Sequence, residues 1–115
     1  MANQKMIYFV SLSSNVPYVL REALKMKEEN NEVSLFFDLD GARVLDKRYL
    51  KSMERTHNMD LASLFNKAAD AGIPLYGCQM NVLIAGGLEL IDGAELAGVA
   101  TFLDQAYKAD AVLTY

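Results

Sequence analysis

Short, near-continuous apolar runs alternate with amphipathic helical stretches along the whole chain, and few architectures accept that order. KMIYFVS (residues 5–11) opens the series. A run apolar at almost every position predicts a strand buried on both faces rather than one with a wet side. SSNVPYVLREALKMKEEN (13–30) follows, with Ser14 or Asn15 placed to cap a helix and Pro17 in its first turn. Val16, Val19, Leu20, Ala23 and Leu24 recur at helical spacing, so this helix packs on the sheet. EVSLFFD (32–38) is the second strand, residues 42–54 read as a helix, and Leu61, Leu64, Phe65 and Ala68 mark another from about Asp60.

Gly72 stops that helix, and GIPLYGC (72–78) carries the third strand. Asn81 stands where it would cap a short helix in VLIAGGLEL (82–90). DGAELAG (92–98) is a turn with at most a short strand. Val99, Phe102, Leu103 and Ala106 mark the last helix, and AVLTY (111–115) closes as a strand. Strand–helix alternation predicts an α/β fold: a three-layer α/β/α domain spanning residues 1–115, with a mostly parallel sheet of about five strands. Ligand sites in such sheets lie at the carboxyl ends of strands. Asp38 and Asp40 follow strand two and Cys78 ends strand three, so both candidate sites are expected on one edge.

With 52% hydrophobic and 23% charged residues, the chain has enough apolar surface to fold rather than stay disordered. A net charge of −4 argues against nucleic acid or an anionic membrane as the general partner. No apolar run approaches the ~18 residues of a membrane span. MANQKMIYFVSLSS lacks the basic start and apolar core of a secretory signal, and a cytoplasmic protein is the expectation. A single cysteine excludes an internal disulfide and cannot alone hold a structural zinc, and no cofactor or metal is expected.

FFDLDGARVL (36–45) has the Asp-x-Asp-Gly pattern of haloacid dehalogenase-like phosphatases. That chemistry needs Mg²⁺, further acidic ligands from a later strand end, and a phosphate-holding lysine. Ala42 stands where that family prefers threonine, and no Lys or Arg occurs between Lys67 and Lys108. A structural reading suffices: Asp38 ends a strand, Asp40 caps a helix beginning at Ala42, and Gly41 helps make the turn.

Cys78 stands between a strand end and a helix start, where unpaired N–H groups and the helix dipole stabilise a thiolate. Such a cysteine is a nucleophile if its pKa falls below the free value of about 8.5. Gly77 before it would let a sulfur substrate approach the backbone. The alternative is a small buried hydrophobe. Arg43, Lys47, Lys51 and Arg55 recur every fourth residue as a basic stripe, either a surface for an anionic ligand or acidic partner or simply a solvated face. His57 is a candidate acid/base or thiolate partner.

GIPLYGCQMNVLIAGGLELIDGAELAGVATFLDQAYKADAVLTY (72–115), with its Cys-x-Met after strand three, resembles the DsrE/DsrF-like family of small sulfur-relay proteins. The FF…DG stretch after strand two is similar to the branch labelled peroxiredoxin-like. The resemblance implies a sheet that assembles into homo-oligomers, trimers or hexamers. It also implies that Cys78 carries sulfur, as a persulfide or thiosulfonate, between donor and acceptor proteins. Gly77, Gln79, Met80 and Asn81 would shape the substrate site around it. With no second thiol in the chain, a complete peroxiredoxin cycle would need another subunit or an external thiol. Two rivals stand beside the carrier: a non-catalytic assembly module with an inert Cys78, and a metal-dependent ligand site on Asp38 and Asp40. The apolar residues Val82 to Ala85 are a candidate subunit contact.

Overall fold

The computed structural model describes residues 3–78 and 87–115, and at His57 the backbone only. Five strands, β1 (Lys5–Val10), β2 (Glu32–Phe37), β3 (Leu75–Cys78), β4 (Ala94–Ala97) and β5 (Ala111–Thr114), form one sheet in the order β4-β3-β2-β1-β5. Every neighbouring pair is parallel. Among the described residues the helices are α1 (Val16–Glu28), α2 (Leu39–Ala42), α3 (Lys47–His57), α4 (Leu61–Asp70) and α5 (Val99–Lys108).

Crossover handedness explains where the helices lie. From β1 to β3 the chain steps across the sheet in one direction, and right-handed crossovers keep α1, α3 and α4 on one face. β5 returns to the far side of β1, so α5 lands on the opposite face. The two faces are unequal. On the first, α1, α3 and α4 pack on Tyr8, Val10, Val33, Leu35, Phe37 and Leu75, within a cluster of twenty buried residues. On the second, α5 is the helix among the described residues that covers a cluster whose buried members are Ile7, Phe36 and Cys78. No residue of α5 is itself buried, and Val99, Leu103 and Tyr107 stand exposed along it.

The alternation thus predicts the three layers, and several details differ from it. The expected helix over 42–54 is broken: α2 ends at Ala42, a 3-10 turn covers Arg43–Leu45, and Asp46 is extended. The break has a cause in the later chain. The Ile91 N–H donates to Leu45 O at 2.8 Å and the Lys47 N–H to Glu89 O at 2.9 Å, drawing 45–47 out of helical pairing. Asp46 then caps α3, its carboxylate accepting from the Arg48 N–H at 3.2 Å. Asn15 is the N-cap of α1 but makes no side-chain bond, because a 3-10 turn over Ser13–Asn15 leads into the helix. DGAELAG holds a four-residue edge strand, β4, paired with β3. Of the expected helix over 82–90, residues 82–86 lie outside the described chain, as does Asn81. Leu88 to Leu90 are not helical, and Leu90 bridges Asp46. Among the described residues no helix is long and apolar enough to cross a membrane.

Candidate functional site

All five strands point the same way, so Asp38, Cys78 and the loop after β1 share one sheet edge, as the sequence predicts. The Asp-Leu-Asp-Gly segment there is a clasp on β1. The Asp38 N–H donates to Val10 O at 3.0 Å, and the Gly41 N–H to Ser11 O at 3.0 Å. The Asp38 carboxylate caps α2 by accepting from the Leu39 N–H at 2.8 Å. Capping therefore falls to Asp38, not to Asp40. Asp40 accepts from the Ser13 N–H at 2.8 Å instead, and Arg43 stands 3.8 Å away. The Ser13 bonds, backbone first, and then Arg43 hold the Asp40 carboxyl below its usual range. Its contribution to stability is present above that range and is lost as pH falls through the lowered value. Among the described residues no three His, Cys, Asp or Glu side chains stand together as a metal would require.

Cys78 ends β3 on the face covered by α5, and only 3% of it is exposed. Phe36 and Ile7 share its buried cluster, and Tyr76, Ala97 and Phe102 are among the residues packed against it. Phe37 pairs with Gly77, which puts Asp38 and Cys78 at neighbouring strand ends. Burial, and secondarily the negative charge of Asp38, push the thiol up to about 11. Of the two sequence readings, an acidic thiol at a helix start or a small buried hydrophobe, this burial and the nearby carboxylate favour the second. Only about one thiol in ten thousand is then ionised at pH 7. The second-order rate of iodoacetamide alkylation should climb roughly tenfold per pH unit up to about pH 11, instead of levelling near 8.5. Asp38→Asn should move that midpoint down only modestly, since burial is the larger cause. A plateau near pH 8.5 in the parent protein would contradict the assignment.

Gly77 is buried and, by strand alternation, faces the side of the sheet opposite Cys78. Gln79, Met80 and Asn81 lie outside the described residues, as does the side chain of His57, whose backbone ends α3. The basic stripe does not serve the thiol. Lys47, Lys51 and Arg55 belong to α3, whose Leu50 and Met53 pack into the first-face core, across the sheet from Cys78. Its charge is also partly met, with Arg43 beside Asp40 and Lys47 4.0 Å from Asp92.

One residue at this edge carries no sequence signal. Leu39 has φ 52°, in the left-handed region, and 69% of it is exposed. Leu12 and Val99 stand exposed beside the same strand ends. A non-glycine residue in that region costs about 1–2 kcal/mol, part of which glycine returns through its own backbone entropy. Leu39→Gly should therefore stabilise the isolated chain by about 0.5–1 kcal/mol in urea unfolding. A loss of stability would show that the leucine is packed against something.

No curated protein matches the chain in sequence. The crystal structure of the ychN protein from E. coli has the same fold, with a TM-score of 0.74 over 98% of this chain and 99% of that one, at 19% identity. The model of the DsrE/DsrF/DrsH-like family matches residues 14–114, which among the described residues include every strand but β1 and all five helices. The chain belongs to the DsrE/DsrF/DrsH-like family.

Proposed function

We propose that this protein is a single-domain sulfur carrier that takes up sulfane sulfur from a persulfide, or a thiosulfonate group from a polythionate with release of thiosulfate, on Cys78 and passes it to a partner thiol. The observation that carries this reading is the placement of the chain's one cysteine at the carboxyl edge of a parallel sheet, in a family whose general role is sulfur relay. In the loading step the Cys78 sulfur attacks the outer sulfur of a donor persulfide. The donor S–S bond breaks as the Cys78 S–S bond forms, and the donor leaves as a thiol with the Cys78 proton. An acceptor thiolate then attacks the outer sulfur, and Cys78 departs and is reprotonated. Nothing is oxidised or reduced overall, and no cofactor is needed.

The high thiol pKa gives this cycle a particular character. At rest Cys78 is neutral and shielded, which protects it from adventitious oxidation. A donor or acceptor must therefore open the edge where Leu12, Leu39 and Val99 are exposed. Reduced thiols also suit a cytoplasmic location. The apolar residues left uncovered on α5 support assembly into a homo-oligomer, for which the family resemblance implies a trimer or hexamer. Gln79, Met80 and Asn81, next to the thiol in sequence, would line the substrate site, whereas Gly77 faces the other side of the sheet.

The same burial favours one other reading, an assembly module of this fold whose Cys78 is inert packing. Discharge separates them. Protein loaded with isotopically labelled sulfur should give its label to an added low-molecular-weight thiol in a one-to-one ratio, regenerating the free Cys78 thiol. Label that never leaves Cys78 would favour the inert module.

A further inference from the structure

A cleft of about 320 Å³ lies between α3, α4 and the segment 89–92, on the face of the sheet opposite Cys78. Its volume falls at the small end of the range of ligand pockets, about 300–1,000 Å³. Leu50, Phe65 and Ile91, all buried members of the main core, form an apolar floor beside Ala62. That wall is fixed rather than loose: residues 89 and 91 are hydrogen-bonded to 47 and 45 through their backbones.

Most charges at the mouth are already engaged. Lys47 pairs with Asp92, Arg48 donates to Gly87 O at 3.0 Å, and the Glu54 carboxylate accepts from the Ala62 N–H at 3.1 Å. Lys51 differs: among the described residues no carboxylate lies within 4.0 Å of it, although it lines the mouth. A second depression adjoins the cleft through Lys51 and Glu54 and adds Arg55. With Lys47, Arg48, Lys51 and Arg55 against Glu54, α3 is a positive segment in a chain of net charge −4. Glu89, on the facing wall, disfavours a second negative charge.

From this juxtaposition we infer a binding site for a small monocarboxylate with an apolar body, the body on Leu50, Phe65 and Ile91 and the carboxylate at Lys51. The site stands apart from Cys78 and does not depend on the sulfur-carrier reading. Titration of the ¹⁵N-labelled full chain with sodium hexanoate should move the amides of Lys51, Ala62, Asn66 and Ile91 saturably. Hexylammonium chloride should bind about fivefold more weakly or worse, and Lys51→Glu should reverse that order. Equal binding of the two probes, or shifts scattered over the surface without saturation, would overturn the inference. So would shifts at these amides that follow protein concentration, which would mark the cleft as a contact between copies of the chain.

Discussion

Gly41→Ala is expected to destabilise the protein by about 2–3 kcal/mol, although only a methyl group is added. The cause is the clasp between α2 and the end of β1. A Cβ at residue 41 would run into the carbonyl oxygen of Val10, with the carbonyl carbon 2.8 Å away and the Ser11 nitrogen at 3.2 Å. These are backbone atoms of the strand beside the sheet centre, so no side chain can turn aside to make room. Relief requires α2 to move off β1, and that breaks the bonds from Gly41 N–H to Ser11 O and from Ser13 N–H to Asp40. A urea midpoint for Gly41→Ala close to that of the parent would show that the clasp is not a fixed part of the fold. The same contact gives the Asp-x-Asp-Gly pattern its purpose: the glycine admits the backbone, and the two aspartates hold the loop ends.

Phe36→Ala should cost about 3–5 kcal/mol, the usual range for emptying a fully buried phenylalanine site. Phe36 stacks on Tyr76 with ring centroids 4.7 Å apart and meets Phe102 of α5 edge-on at 5.2 Å. Among the described residues it is central to the smaller of the two face clusters, so few other described side chains hold α5 down once the ring is gone. The variant therefore carries a second expected result. Cys78, which shares that cluster, should alkylate faster at neutral pH as its burial is relieved. Destabilisation with no change in thiol reactivity would mean that Phe36 supports α5 but does not set the environment of the thiol.

Strand–helix alternation made the layers readable in advance, because runs such as KMIYFVS and EVSLFFD have only one comfortable place, inside a covered sheet. The position of Cys78 was readable for the same reason: it ends a strand whose neighbours are all parallel. Its electrostatics were not. The thiol is neutralised by Phe36, Ile7, Phe102 and Asp38, residues that strand pairing and α5 bring to it from elsewhere in the chain. The broken helix after Ala42 was hidden likewise, since the partner that interrupts it is the backbone of residues 89–91. β4 was weak in sequence because an edge strand with Glu95 and Leu96 exposed lacks a strong apolar signature. The basic stripe was visible as a spacing, but not the carboxylates of Asp40 and Asp92 that partly answer it.

The central claim is that Cys78 carries sulfur, and intact-mass analysis after incubation with polysulfide, and separately with tetrathionate, tests it most directly. The carrier account predicts a gain of one sulfur atom, or of one thiosulfate, that is removed by reductant and absent from Cys78→Ser. Folded protein that takes up neither species, with Cys78 also refusing alkylation at neutral pH, would contradict that account and identify the thiol as packing.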